Sequence, residues 1–129
     1  MAQVKIYALK SHLEKVRESL SHSIHTSLVE CFGLPENKRF HRFIPLERED
    51  FIFPDDRSEK YTIIELNIFS GRSEETKKIL IKSLFEGIDE EVGISPQDIE
   101  ITLFETPQSD WGIRGRTGDE LKLNYKVNC

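Results

Sequence analysis

The chain carries the same pattern of elements twice. Ser11 begins a helical pattern that ends at Gly33, and Ser73 begins a second one that ends at Gly93. The two glycines lie 60 residues apart and the two serines lie 62 apart. A strand-like run stands on each side of each helix, so the repeated unit is strand–helix–strand. Two copies are too few for a capped solenoid, so we expect a single duplicated domain over residues 1–129, with units at about 2–46 and 61–105.

Both predicted helices carry an apolar stripe at intervals of three and four residues, as an amphipathic helix does. Ser11 and Glu14 fit a capping box at the first helix, and Ser73 precedes two acidic residues that favour the start of the second. The stripes are Leu13, Val16, Leu20, Ile24, Leu28 and Phe32 in the first helix, and Leu80, Ile81, Leu84, Phe85, Ile88 and Val92 in the second.

Four runs have strand character, at residues 3–9, 40–46, 61–69 and 99–104. Pro45 indicates an edge strand, because proline cannot donate a ladder hydrogen bond. The run at 61–69 is apolar on both faces, which suits a central strand. A crossover through a helix joins parallel neighbours by a right-handed connection. We therefore predict an α/β (α+β) fold with a four-stranded, mostly parallel sheet and two helices on one face.

That arrangement leaves one face of the sheet without a cover. We therefore expect the chain to oligomerise through this face. Residues 47–60 have no counterpart in the repeat, yet they include Phe51-Ile52-Phe53-Pro54. An exposed apolar run of this kind is a liability on a monomer, so we expect it to pack on another surface.

Composition excludes several classes of protein. Charged residues make up 32% of the chain and the net charge is −5, which argues mildly against nucleic acid as the main partner. The apolar runs are too short to cross a bilayer, and no leader pattern opens the chain. Cys31 and Cys129 are too few for a disulfide framework and have no metal-ligand spacing, so we expect a cytoplasmic protein with no membrane partner. We interpret the four histidines as structural or exposed, and we predict no metal or cofactor.

Four short blocks, in this order and spacing, resemble the tautomerase superfamily. They are Phe32-Gly33-Leu34-Pro35, Ile68 to Glu75, Gly93 to Asp98 and Asp110 to Gly115. The match covers nearly the whole chain and is closest to the branch of malonate semialdehyde decarboxylase and related bacterial proteins. The resemblance implies a homotrimer with an N-terminal proline, exposed by loss of the initiator methionine, that acts as base or acid on enols and 2-oxo acids. Arginines would bind the substrate carboxylate.

The chain departs from that family at the proline. It opens Met1-Ala2-Gln3, and the position of the proline falls on Ala2. Loss of Met1 would leave a primary α-amine at this place, with an unperturbed pKa of about 7.7–8.0. Burial and nearby arginines both disfavour the protonated amine. By resemblance we therefore assign Ala2 as the catalytic base.

Other site residues follow from the resemblance one at a time. Arg72 matches one of two arginines in the decarboxylase branch, and the second falls on Ser70. Trp111 matches an aromatic wall of the pocket. We assign Arg72 to catalysis and to carboxylate binding, with Ser70 and Trp111 as further substrate-binding residues. Lys38 stands where that branch has an acidic residue, which disfavours decarboxylation by the same arrangement.

Arg114, or its neighbour Arg116, could supply further affinity for a carboxylate, and we assign Arg114 to substrate binding. Two functions stay open. The first is a tautomerase-like isomerase acting on enol and keto forms of small 2-oxo carboxylic acids, with an activity weakened by the absence of proline. The alternative is a non-catalytic trimer of the same fold that binds a small anion or serves as a structural module. In both, the partners are a small carboxylate and further copies of the chain.

Overall fold

The computed structural model describes residues 2–129. Its main elements lie within two residues of the predicted bounds, so the element pattern is confirmed. They are β1 (Ala2–Leu9), α1 (Lys10–Phe32), β2 (His41–Leu46), β3 (Thr62–Phe69), α2 (Glu74–Val92) and β4 (Ile99–Thr106). A small antiparallel hairpin follows, made of β5 (Gly112–Ile113) and β6 (Arg116–Thr117).

The strands form one mixed sheet in the order β2-β1-β3-β4. β1 pairs with β2 and β3 pairs with β4 in parallel, whereas β1 and β3 run antiparallel in the centre. The predicted mostly parallel sheet is therefore confirmed, with Pro45 in an edge strand and β3 in the interior. The central antiparallel pair brings the start of β1 to the end of β3, with Ala2 opposite Ile68.

Both helices end as predicted, but only one begins as predicted. Gly33 and Gly93 close the helices with φ values of 68° and 79°, a region that glycine adopts without strain. The Ser73 hydroxyl oxygen caps α2 by accepting from the Thr76 N–H at 3.1 Å.

The predicted capping box at Ser11 is wrong. α1 begins one residue earlier, at Lys10, and its N-cap residue Leu9 makes no side-chain capping hydrogen bond. Leu9 is the last residue of β1, pairs with Leu46 and is buried. Strand pairing and burial of Leu9 therefore set the start of the helix, and Ser11 falls inside the first turn instead of at the cap.

The core lies between the helices and one face of the sheet. Inward residues such as Val4, Ile6 and Leu66 are fully buried against helix residues such as Leu20 and Leu84. The intervening strand residues point to the opposite face, which the helices leave uncovered as expected. That face is of mixed character and includes Lys5 and Glu65, whose charged groups are 3.8 Å apart.

The segment at 47–60 packs only in part. The rings of Phe51 and Phe53 lie 5.4 and 5.1 Å from the ring of Tyr61, centre to centre. Ile52, between them, keeps 95% of its surface exposed. The expected packing therefore holds for the two aromatic residues within one chain and not for Ile52. Neither helix in residues 2–129 has the length and apolar character needed to span a membrane.

Candidate active site

A cavity of about 430 Å³ opens at the end of the sheet where β1 begins and β3 ends. Its walls come from Ala2, from the loop after α1, from the tip of the β5–β6 hairpin and from residues 121–125. Because β1 and β3 are antiparallel, the first residue of β1 lies beside the last residues of β3. Ala2 is only 5% exposed, so the first residue of β1 is sheltered from solvent. Met1 lies outside the described residues.

The charged side chains that line this cavity are all basic. Lys38, Arg114 and Lys122 all line it, and no Asp or Glu does so within residues 2–129. One sign of charge in a concave site raises the local concentration of anions. The cavity is therefore suited to a negatively charged ligand.

The hairpin turn brings Arg114 to the cavity. Arg114 and Gly115 connect β5 to β6, with φ values of 51° and 81°. Two central residues with positive φ match the twist of a tight hairpin. A non-glycine residue with positive φ is uncommon, and here it directs a cation to the cavity. Arg116 is exposed on β6 and is not among the lining residues.

Arg72 lies outside the cavity lining and is buried at 4% exposure. Its Nη1 donates to the carbonyl oxygen of Phe69 at 3.3 Å, and its guanidinium carbon lies 4.0 Å from the ring centre of Phe32. Nε and Nη2 are buried and have no partner within residues 2–129. Burial lowers the pKa of Arg72, although a guanidinium stays protonated in a protein. The result is a buried cation with two nitrogens that lack acceptors.

Trp111 and Ser70 lie near Arg72 and also outside the cavity lining. The Trp111 ring packs edge-on against Phe69, 5.0 Å between centres, and its Nε1 is buried without a partner in the described chain. Ser70 follows β3, and its main-chain N–H donates to Thr106 at 3.0 Å. The five predicted site residues thus fall into two groups: Ala2 and Arg114 at the cavity, and Arg72, Ser70 and Trp111 around Phe69.

Sequence reasoning missed the C-terminal segment. Residues 121–125 line the cavity, and the half-buried Tyr125 also packs on the core. The pattern that could have revealed this segment is the strict alternation of apolar and polar residues from Leu121 to Val127, which is typical of an extended, half-buried segment. Burial follows the same alternation and reaches 6% exposure at Val127.

The end of this segment is attached beside Arg72. The hydroxyls of Ser73 and Thr76 donate to the main-chain oxygen of Cys129, at 3.2 and 2.6 Å. Gly71 has a φ of 135°, and a Cβ there would overlap the Asn128 side chain. Glycine is therefore required where the segment crosses the loop between β3 and α2.

Two strand–helix–strand units in one mixed sheet, with a basic cavity at the first residue of β1, define a tautomerase-like protein. The family described as "Tautomerase enzyme" (Tautomerase_2) matches residues 38–114. Because that match covers more than half of the chain, the protein belongs to this tautomerase family. The resemblance drawn from the four sequence blocks is confirmed.

Named relatives agree with this assignment. The chain is 27% identical over 118 residues to the probable tautomerase YusQ of Bacillus subtilis (strain 168), covering 88% of this chain and 93% of that protein. The structure of malonate semialdehyde decarboxylase matches with a TM-score of 0.79 at 27% identity, over 88% of this chain and 92% of that one. The R7 fused 4-OT, an asymmetric trimer, shares the fold with a TM-score of 0.79 at 20% identity, over 91% and 96%. The family match, YusQ and the decarboxylase support a tautomerase or isomerase type of function, whereas the fused 4-OT shows the shared fold.

Proposed function

We propose that the protein is a tautomerase-like isomerase that interconverts the enol and keto forms of small 2-oxo carboxylic acids. One observation carries this proposal. The sheltered first residue of β1, Ala2, shares a 430 Å³ cavity with Lys38 and Arg114 and with no Asp or Glu of the described chain. A candidate base and cations for a carboxylate thus lie in one hollow of a size that fits a small ligand.

In this proposal the α-amine of Ala2, freed by removal of Met1, is the proton carrier. The neutral amine takes the proton from the enol hydroxyl as the C2 carbonyl forms, and the resulting ammonium returns that proton to C3. No atom is gained or lost, and the amine is regenerated. The burial of Ala2 and the nearby cations of Lys38 and Arg114 disfavour the protonated amine, which favours its role as a base near neutral pH.

The carboxylate of the substrate would be held by arginine. Arg114 lines the cavity, whereas Arg72 does not, and its two buried nitrogens without acceptors would meet the carboxylate only if the ligand reaches past the present lining. A hydrogen bond to a charged group contributes about 1.5–3 kcal/mol, so two arginines suffice to orient a small acid. Trp111 would form an apolar wall, and Ser70 a neighbouring polar contact.

We also propose that residues 1–129 form one domain that assembles as a homotrimer in the cytoplasm. The sheet face without helices, the exposed Ile52 and the trimeric fused 4-OT of the same fold support assembly. The free thiols of Cys31 and Cys129 support a reducing compartment. Light scattering of the wild type should give the mass of three chains, and Ile52→Ser should shift it towards smaller species. A stable wild-type monomer would contradict the trimer.

The alternative is a non-catalytic trimer that keeps the basic cavity as a small-anion site or serves as a structural module. Two substitutions favour it: Ala2 stands in place of the catalytic proline, and Lys38 stands in place of the acidic residue of the decarboxylase branch. The cavity itself is compatible with either function, so activity must separate them.

The decisive experiment measures phenylpyruvate enol–keto conversion together with the mass of the purified chain. The mass should show that Met1 is absent, because a retained Met1 would move the amine by one residue. We expect measurable conversion in the wild type, a faster rate for Ala2→Pro, and a loss of about tenfold or more for Arg114→Ala and Arg72→Ala. Arg116→Ala is the matched control, since that side chain does not line the cavity. No conversion by the wild type or by Ala2→Pro would favour the non-catalytic module.

A further inference from the structure

We infer that residues 121–129 form a lid over the candidate active site and that Tyr125 is a ligand-binding residue. When the lid is closed, the Tyr125 hydroxyl, together with Arg72, contacts an oxygen of the bound carboxylate ligand. This inference rests on the proposed function only in assuming that the ligand is a small carboxylic acid, and it requires no catalytic step.

The first support is a concentration of buried groups that lack hydrogen-bond partners. Eight buried side-chain nitrogen or oxygen atoms have no partner in residues 2–129, and four of them belong to Arg72, Trp111 and Tyr125. The arginine and tryptophan N–H groups can only donate, and the tyrosine hydroxyl can donate as well. Burying donors without acceptors is unfavourable, so an enclosed anion rich in acceptor oxygens would relieve the cost.

These donors belong to one neighbourhood of the structure. Arg72 contacts both Phe32, at 4.0 Å from the ring centre, and the carbonyl of Phe69, at 3.3 Å. Trp111 packs edge-on against the ring of Phe69. Tyr125 lies beside Gly33, the residue after Phe32, where a Cβ would be 4.0 Å from the Tyr125 Cβ. Arg72 and Trp111 are thus linked through Phe69, and Tyr125 reaches the same end of the sheet through Gly33, next to Phe32.

The second support is the weak attachment of residues 121–129. No main-chain hydrogen bond joins residues 122–128 to the sheet or to the helices of the described chain. The segment is held by its apolar side chains and by the two hydroxyls that donate to Cys129. A segment with few main-chain bonds opens at low free-energy cost. It also walls the cavity, so a ligand that enters and meets Tyr125 stabilises the closed position.

The test uses pyruvate as the probe and hydrogen–deuterium exchange of the full-length wild-type protein. We expect saturating pyruvate to slow amide exchange in residues 121–129 by at least severalfold. Tyr125→Phe keeps the ring and removes the hydroxyl, and it should raise the Kd for pyruvate about five- to tenfold, the loss of one hydrogen bond to a charged group. Tyr61→Phe is the matched control, because that hydroxyl bonds Glu100 at the opposite end of β3. Its Kd should equal that of the wild type.

A second variant tests the attachment itself. Thr76→Val removes the donor to Cys129 with little change of shape, and it should speed proteolytic cleavage within the segment without pyruvate and weaken pyruvate binding. This variant keeps the inference testable if Tyr125→Phe fails to fold. Unchanged exchange with pyruvate, no binding of pyruvate by the wild type, or equal Kd values for wild type and Tyr125→Phe would each overturn the inference.

The outcome is distinguishable from that of the proposed function. If pyruvate slows amide exchange in residues 121–129 but the wild type does not convert phenylpyruvate, the lid is supported and the isomerase function is refuted. If the wild type converts phenylpyruvate while pyruvate leaves exchange in residues 121–129 unchanged, the isomerase function is supported and the lid is refuted.

Discussion

The guanidinium of Arg72 stacks over the ring of Phe32, with 4.0 Å between the Cζ atom and the ring centre. Phe32 is the last residue of α1 in the first unit, and Arg72 follows β3 in the second unit. The contact therefore joins the two halves of the duplication at the end of the sheet where the cavity lies. A desolvated cation–π pair of this kind contributes about 2 kcal/mol.

Replacing Phe32 tests this contact. Phe32→Leu keeps an apolar side chain but removes the ring face, so the buried Arg72 loses its main favourable contact. We expect the free energy of unfolding to fall by about 1–3 kcal/mol, from the lost cation–π pair and imperfect packing. Urea unfolding followed by circular dichroism measures it. Ile79→Leu is the control, since Ile79 on α2 is 53% exposed, and it should change stability by less than about 0.5 kcal/mol.

Arg72 itself should illustrate a conflict between stability and function. Its Nε and Nη2 are buried without acceptors in the described chain, and burial lowers its pKa. Arg72→Met fills a similar volume without a charge. We expect the unfolding free energy to stay level or rise by up to about 2 kcal/mol, while binding of a small carboxylate is lost. Denaturant unfolding and calorimetric titration with pyruvate give the two quantities. A large loss of stability would show that the charge is satisfied in the folded protein.

Acid should destabilise the fold through His41. Burial, with smaller effects of the neighbouring His25 and Arg39, lowers the pKa of His41 to about 4 from an ordinary 6.5. The unfolded chain therefore binds a proton at a pH where the folded chain does not. Stability should fall as the pH drops from about 6.5 to about 4, by roughly 2 kcal/mol after allowance for partial solvent access. Above pH 6.5 this group should contribute no slope.

Urea unfolding at a series of pH values measures this effect. His41→Gln should flatten the stability profile between pH 6.5 and 4, although Ser21, whose Oγ lies 2.7 Å from His41 Nδ1, then needs another partner. His22 is exposed, so His22→Gln should leave the profile unchanged. The buried His12, whose pKa is also lowered chiefly by burial, adds a smaller slope of the same sign that persists in both variants. An identical slope in wild type and His41→Gln would refute the assignment.

The close approach at Gly71 predicts a specific sensitivity. Its φ of 135° disfavours any side chain, and a Cβ would also lie 3.1 Å from Val127 Cγ1 and overlap Asn128. Gly71→Ala should therefore displace the C-terminal segment and reduce stability by about 1–3 kcal/mol. Protease susceptibility of residues 121–129 and thermal unfolding report the two effects. Gly112→Ala is the matched control, because nothing lies within 4 Å of a Cβ there and its φ is not positive, so both measurements should stay at wild-type values.

Most of the fold could be predicted from local sequence patterns. The apolar stripes, the glycines that end both helices, the serine cap at Ser73 and the proline of the edge strand all act over a few residues. Such features need no knowledge of distant parts of the chain. The exception at Ser11 shows the limit, because pairing of Leu9 with Leu46, far away in sequence, starts the helix one residue early.

Only some residues of the candidate site could be predicted from the sequence. Short motifs indicated Ala2, Arg72 and Arg114, but no motif indicated Tyr125, although the alternation of residues 121–127 marked an extended, half-buried segment. An alternating pattern indicates that one side of a segment is buried, but it does not indicate which residues bury it. The loop bearing Lys38, the hairpin tip and the C-terminal segment meet only because their supporting strands end at the same edge of the sheet.

Sequence alone was thus sufficient for the duplicated units, the mostly parallel sheet and membership in the tautomerase family, because periodicity, capping and short motifs are local properties. The direction of the central strand pair, the burial of Arg72 on Phe32 and the position of residues 121–129 over the loop at Gly71 emerged only with the tertiary structure. These features depend on contacts between residues 40 to 66 positions apart, and the free energy of such contacts comes from packing that no local pattern encodes.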